Sequence, residues 1–321
     1  MIEIDNAENY SGTFNIYGKK LKVRTDSKPI FLAIKNMYLP CFFCFKNANL
    51  YDFVIDIYLK DKLPFSSRVK KENSNFCSKR FKPRKDIFFI EKDKRFYFAA
   101  NLGFCVLDLG SAVIFLNEAH SCDQSLIKYL FYTVFFDWMY LRGFWLVHGC
   151  GLKSGSKGTL LLGVSKSGKS NLAFKSLSKG AHCLGDNALF LKEEKRGYYI
   201  YSFLRYISLT REDALKYKPC RQLIKSGRFI IRKRDKISFE VDDILANKSA
   251  KRARLNEVVL LGQKKSAKPI HPRYLEKFLY KSTHMFMLGG LYPNKVVDMK
   301  RFARDCSARI GVFSSMLKWY K

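Results

Sequence analysis

The chain has 321 residues, of which 47% are apolar, and a formal net charge of +31. This much apolar material can bury one elaborated core or two smaller ones, and it excludes disorder over the whole chain. A charge of this size attracts polyanions such as nucleic acid, an anionic membrane surface or an acidic protein. The same charge also fits a lysine-rich solvated surface, so an anionic partner stays open.

Nine cysteines are scattered along the chain, and the N-terminus shows no basic and apolar leader. This usage excludes a secreted disulfide framework and predicts reduced thiols in the cytoplasm. Cys41 and Cys44 form an isolated pair that lacks the second pair a zinc site needs. The most apolar run, 129–147, is interrupted by Asp137 and Arg142, so no transmembrane segment is predicted.

Residues 1–120 are predicted to form an N-terminal β-rich domain of unknown role. Short aromatic and β-branched runs predict strands at 13–17, 30–34, 53–59, 87–90 and 96–99. A strongly basic segment, 68–85, is predicted to be an exposed loop. The apolar segment that follows predicts a buried helix over 124–141 and a strand over 144–148.

Residues 121–321 are predicted to form a nucleotide-binding domain, because strand and helix patterns alternate beyond residue 155 as in α/β folds. Residues 159–162 predict a short apolar strand, 170–179 a helix and 258–261 a further strand. The segment 298–318 is predicted to be a closing helix. Thr210 followed by Asp213 is typical of a helix N-cap and needs no functional interpretation.

One segment carries a specific phosphate-binding motif. Residues 163–170 fit the pattern G-x-x-x-x-G-K-[ST] between a predicted strand and a predicted helix. The glycines let backbone N–H groups turn toward phosphates, and the helix N-terminus adds further donors. Lys169 reaches the β- and γ-phosphates and the Ser170 hydroxyl can bind Mg²⁺. The predicted ATP-binding residues are Gly163, Val164, Ser165, Lys166, Ser167, Gly168, Lys169, Ser170 and Asn171.

The flanks of this motif resemble the C-terminal domain of HPr kinase/phosphorylase. Upstream, His148 and Gly149 end a strand that leads into the P-loop strand. Downstream, a short strand ends in Asp186 and Asn187, where the family has a pair of aspartates. The resemblance is specific over residues 144–191. It implies an α/β P-loop kinase domain of the HPr kinase and phosphoenolpyruvate carboxykinase type, which uses ATP and Mg²⁺.

The resemblance also implies roles for single residues. Asp186 matches the family's general base, Lys169 its phosphate-binding lysine and His148 its histidine near the phosphates. Asn187 stands at a metal-binding position with Ser170, but an amide brings no charge to the metal. From the residues alone, Asp186 also fits a turn and His148 a structural role. The HPr kinase signature further downstream is not found, so the resemblance does not extend to HPr as the substrate.

Together these features predict a kinase that transfers the γ-phosphoryl group of ATP to a hydroxyl, with a serine of a protein or peptide as the expected acceptor. The alternative is a non-catalytic nucleotide-binding module whose basic surface binds a polyanion such as nucleic acid. The basic clusters at 68–85, 221–236 and 248–268 fit either an anionic partner or a solvated surface. The oligomeric state is left open.

Overall fold

The structure is a computed structural model of the whole chain. It describes residues 10–37, 43–44, 50–61, 63, 86–91, 94–99, 103–120, 124–163, 167–203, 205–233, 236–261 and 302. The chain divides into two compact units, Met1–Trp138 and Met139–Lys321. The division at residue 120 that the sequence predicts stays a prediction.

The first unit contains an eight-stranded sheet with the strand order β3-β1-β2-β4-β8-β7-β6-β5. Strands β2, β4 and β8 run parallel at its centre, and the flanking pairs are antiparallel. The strands are β1 (Tyr10–Ile16), β2 (Lys19–Thr25), β3 (Phe43–Cys44), β4 (Phe53–Lys60), β5 (Asp86–Glu91), β6 (Lys94–Ala99), β7 (Gly103–Leu107) and β8 (Ser111–Asn117). Four of the five strands predicted for this region are therefore confirmed.

The fifth predicted strand, 30–34, is wrong, because this segment lies inside helix α1 (Lys28–Met37). Ile30 and Ile34 are both fully buried, whereas Leu32 between them is 41% exposed. Burial at i and i+4 is the pattern of one helix face. Strands β2 and β4, which pair in parallel, need a crossover such as this helix. The predicted basic loop at 68–85 lies outside the described residues.

Helix α2 (Gln124–Leu141) confirms the predicted helix over 124–141. Its described side chains are mostly apolar on all sides, which is typical of a helix enclosed by protein. Trp138 is fully buried and stacks on Phe53 of β4, with 5.2 Å between the ring centroids. None of the described helices is long and apolar enough to cross a membrane.

The second unit contains a seven-stranded sheet, with the order β12-β10-β11-β18-β14-β13-β9, and a three-stranded sheet, with the order β15-β17-β16. The first sheet contains β9 (Phe144–Val147), β10 (Cys150–Ser154), β11 (Lys157–Gly163), β12 (His182–Asp186), β13 (Leu189–Glu194), β14 (Gly197–Ser202) and β18 (Arg252–Leu261). The second contains β15 (Tyr206–Thr210), β16 (Ile230–Lys233) and β17 (Lys236–Glu240). The helices are α3 (Lys169–Ser178), α4 (Arg211–Lys216), α5 (Lys218–Lys225) and α6 (Val241–Ile244).

The larger sheet is covered on both faces. Leu160 and Leu162 of β11 pack into one apolar cluster with Ile200. Leu161, between them, packs into a second cluster with residues of α3 and of the three-stranded sheet, such as Phe174 and Ile207. Because alternate side chains of a strand point to opposite faces, β11 is buried on both sides, and the three-stranded sheet and α3 lie on one of them.

These elements confirm the strands predicted at 144–148 and 159–162 and the helix predicted at 170–179, each within a few residues. The strand predicted at 258–261 forms the last four residues of the longer strand β18. The predicted α/β class is confirmed as a mixed α/β fold with several sheets. Its assignment to the HPr kinase type stays a prediction. The closing helix predicted at 298–318 lies outside the described residues except at Phe302, which is helical.

Candidate phosphate site

The P-loop begins where β11 ends and continues into α3. A Cβ at Gly163 would lie 2.4 Å from Ser167 Oγ and 2.8 Å from the carbonyl oxygen of Leu261, so no larger residue fits there. Gly168 caps α3 with a φ of 89°, a left-handed conformation that favours glycine. Because glycine has no side chain to cap the helix, the first N–H groups of α3 are left for another acceptor. Val164, Ser165 and Lys166 lie outside the described residues.

Lys169, the first residue of α3, is a buried cation. Its Nζ donates a hydrogen bond of 2.7 Å to the carbonyl oxygen of Gly163, at the start of the same loop. Burial lowers the pKa of Lys169, and the negative charge of Asp186 opposes this shift. A buried ammonium group at the start of a P-loop helix is well suited to hold a phosphate oxygen.

Asp186 joins three elements of the site. It ends β12, and its Oδ2 accepts a hydrogen bond of 2.8 Å from the Ser170 hydroxyl on α3. The same oxygen accepts the backbone N–H of Ser208, on β15, at 3.1 Å. Its other oxygen, Oδ1, is buried and has no hydrogen-bond partner among the described residues. The carboxylate is therefore held by one oxygen and has the other available.

Burial raises the pKa of the Asp186 carboxyl above its ordinary value. The hydrogen bonds from Ser170 and Ser208 and the charges of His148 and Lys169 act in the opposite direction. A carboxylate with a raised pKa is a stronger base than an exposed one. Raised carboxyl pKa values in buried positions are frequent at functional sites.

His148 and Asn187 hold the turn after β12. The Nδ1 atom of His148 lies 2.8 Å from the carbonyl oxygen of Asn187, so this nitrogen carries the proton and donates it. Burial lowers the pKa of His148, which favours the neutral ring. Asn187 has a φ of 73°, a left-handed conformation that asparagine tolerates better than most residues. Its side-chain nitrogen donates to Ser208 Oγ at 3.1 Å.

Asn171 is fixed by a helix cap on the next element. Its side-chain nitrogen donates to Asp213 Oδ2 at 2.9 Å, and its Oδ1 has no hydrogen-bond partner among the described residues. The Thr210 hydroxyl accepts the backbone N–H of Asp213 at 3.1 Å, so the predicted cap at Thr210 is confirmed. The cap thus also connects α4 to the P-loop helix.

The oxygen atoms at Ser170 and Asp186 fit a P-loop magnesium ion. Mg²⁺ prefers oxygen ligands and keeps several waters and phosphate oxygens, so it needs only one or two ligands from the protein. A P-loop hydroxyl and a nearby aspartate are such ligands. The unpartnered, buried Oδ1 of Asp186 can serve one purpose at a time, as a magnesium ligand or as a proton acceptor. In the described part of the chain, no three His, Cys, Asp or Glu side chains gather as an all-protein metal site.

The structure thus brings most of the predicted site residues together. Lys169, Ser170 and Asp186 are directly connected or close in space, and His148 contacts Asn187. The sequence analysis missed Ser208 and considered Lys236 only as part of a basic cluster. Ser208 is 22 residues from Asp186, and no local motif marks it; only the pairing of β15 with β17 could have suggested it.

Comparisons with known proteins place the chain in no family. No family model matches it, and no curated protein matches it. The solved structures that match include the HPr(Ser) kinase/phosphatase from Coxiella burnetii, which is 16% identical. That match covers 40% of this chain and 73% of the other, with a TM-score of 0.28. This similarity is weak, and the function proposed below rests on the geometry and the motif of the chain itself.

Proposed function

We propose that the chain is an ATP-dependent kinase that transfers the γ-phosphoryl group to a hydroxyl, with a serine of a protein or peptide as the acceptor. The observation that carries this proposal is the link between Ser170 and Asp186, which sets a buried carboxylate beside the P-loop lysine.

The P-loop residues bind the nucleotide in this proposal. The N–H groups at the start of α3 face the phosphates, and the positive end of the helix dipole favours their negative charge. Lys169 exchanges its bond to the Gly163 carbonyl for the β- and γ-phosphate oxygens. Ser170 would hold Mg²⁺, which would neutralise charge on the same phosphates. A ligand role for Asn187 stays a prediction, as its amide nitrogen donates to Ser208.

Asp186 acts as the general base. Ser170 and Ser208 fix its Oδ2, so Oδ1 is the atom that accepts the proton of the acceptor hydroxyl. The acceptor oxygen then forms a bond to the γ-phosphorus while the bond to the β–γ bridging oxygen breaks, leaving ADP. His148 fixes the backbone of Asn187 next to this carboxylate and so helps to orient it. Positioning of this kind supplies most of the catalysis in phosphoryl transfer.

The test is transfer of label from [γ-³²P]ATP to a pool of serine-containing peptides. We expect acid-stable phosphoserine with the parent chain, and its loss in Lys169→Ala, which removes the cation at the β- and γ-phosphates. Lys195→Ala is the matched control, since Lys195 is an exposed lysine in the turn between β13 and β14. ATP binding without transfer to any peptide would favour the alternative, a non-catalytic nucleotide-binding module.

A further inference from the structure

A second lysine near the phosphate site lies on the three-stranded sheet. Lys236 is the first residue of β17, and it pairs with Thr210 of β15. Two residues further, Ser238 pairs with Ser208, and their hydroxyl oxygens are 2.7 Å apart. Because residues two apart on a strand share a face, Lys236 projects from the same face as Ser238.

This face is the one that contacts the site. The backbone N–H of Ser208 donates a hydrogen bond to Asp186, and the Ser208 hydroxyl accepts one from the side-chain nitrogen of Asn187. Thr210, the strand partner of Lys236, caps α4 and donates its hydroxyl to Asp213, to which Asn171 of the P-loop helix is also bonded. The backbone of Lys236 therefore lies next to Thr210 and near Ser208, and hydrogen bonds connect both of these residues to the P-loop region.

The positive charge of Lys236 acts on two residues of the phosphate site. Burial is the main reason that the pKa values of Lys169 and His148 are lowered, and the positive charge of Lys236 adds to both shifts. Lys236 is partly buried and forms no salt bridge with a described residue. Lys169 and Lys236 thus approach the site from two different elements, and an anion bound between them relieves their mutual repulsion.

We propose that Lys236 is a further phosphate-binding residue, whose ammonium group contacts the γ-phosphoryl group of ATP. This inference rests on the proposed function and deepens it. During transfer, charge is spread over the three non-bridging oxygens of the phosphoryl group, and cations fixed around it lower the energy of that state. Lys169 approaches from the P-loop and Lys236 from the covering sheet. Lys236 takes no proton and forms no bond; the acceptor proton goes to Asp186 and the leaving group is ADP.

The test compares the affinities for ATP–Mg²⁺ and ADP–Mg²⁺ by isothermal titration calorimetry. Lys236→Met keeps the apolar stem and removes the charge, and Lys236→Arg keeps the charge. Lys195→Met is the control, because Lys195 follows the last residue of β13, roughly 20 Å along that strand from Leu189 at about 3.3 Å per residue. Circular dichroism melting verifies that each variant is folded.

We expect Lys236→Met to weaken ATP–Mg²⁺ binding about 10- to 100-fold, the effect of losing one charged hydrogen bond, and to change ADP–Mg²⁺ binding much less. Lys236→Arg should retain most of the difference in affinity between ATP–Mg²⁺ and ADP–Mg²⁺. Lys195→Met should leave both affinities unchanged. Equal losses for ATP and ADP, or no loss, would overturn the inference while Lys169→Ala still tests the proposed function. Failure of the parent chain to bind either nucleotide would overturn both.

Discussion

The hydroxyl of Ser170, the second residue of helix α3, donates a hydrogen bond of 2.8 Å to Oδ2 of Asp186, the last residue of β12. The two residues are 16 positions apart, and this bond connects the phosphate-binding loop to the strand that returns from its helix. Asp186 is almost fully buried, yet one of its oxygens has no partner in the described part of the chain. An unsatisfied buried carboxylate costs stability, so its presence points to a functional role.

Ser170→Ala should weaken the response to magnesium. The change removes one proposed ligand of the ion and one hydrogen bond that opposes the raised pKa of Asp186. We expect the concentration of Mg²⁺ needed for half-maximal ATP binding to rise about 10- to 100-fold. Titration of Mg²⁺ at fixed ATP measures this shift. Ser178→Ala is the control, because Ser178 is an exposed serine at the opposite end of α3. An unchanged Mg²⁺ requirement in Ser170→Ala would exclude Ser170 as a ligand.

Asp186→Asn should raise the melting temperature at neutral pH. Burial raises the pKa of Asp186 in the folded state above its unfolded value. The ionised carboxyl therefore destabilises the folded state above that pKa. This destabilisation disappears as the pH falls below the pKa of the unfolded chain, which is about 3.9 for a free aspartate. We expect the melting temperature of Asp186→Asn to rise by about 2–4 °C for each kcal/mol of destabilisation that the substitution removes. This difference from the parent chain should become smaller toward acid pH.

Asp213→Asn is a control in the same melting measurements, for which we expect a change in melting temperature of the opposite sign. Hydrogen bonds from Lys216 and Asn171 lower the pKa of Asp213 to about 2, so its ionised form stabilises the folded state. That stability is present above the unfolded pKa and is lost as the pH falls through the folded value. The Asp213 variant should therefore melt lower than the parent at neutral pH. If both variants melt lower at neutral pH, Asp186 is a structural residue whose charge stabilises the fold.

The sequence predicted the local parts of this structure well. The P-loop strand, its glycines and helix α3 follow from a contiguous motif, and the all-round apolar character of residues 124–141 predicted α2 at its observed bounds. The prediction at 30–34 failed because a short run of β-branched residues fits a strand and a buried helix face equally well. Ser208 and Lys236 reach the site only through the pairing of β15 with β17, and no local pattern encodes such pairing.

The basic surface offers a separate prediction about partners. The exposed face of α5, where Lys218, Arg221 and Lys225 are accessible, is a place to test the predicted anionic partner. Changing Lys218 and Lys225 to Glu should weaken binding of a poly-glutamate peptide and flatten its dependence on salt, because fewer ionic contacts form. Fluorescence anisotropy at several salt concentrations measures both effects, with Lys195→Glu as the control. Binding with an unchanged salt slope would identify the α5 cations as solvated surface.

The central claim is that Asp186 accepts the proton of the acceptor hydroxyl at a P-loop site for ATP and Mg²⁺. The most direct test is the single-turnover rate of γ-phosphoryl transfer to a serine peptide that the parent chain labels, measured for the parent and for Asp186→Asn at saturating ATP and Mg²⁺. The amide keeps the size of the side chain but cannot act as a base. We expect the variant still to bind ATP, and its transfer rate to fall about 100- to 10,000-fold. Transfer by Asp186→Asn at the parent rate would contradict the account, and Asp186 would then be a residue of the turn after β12.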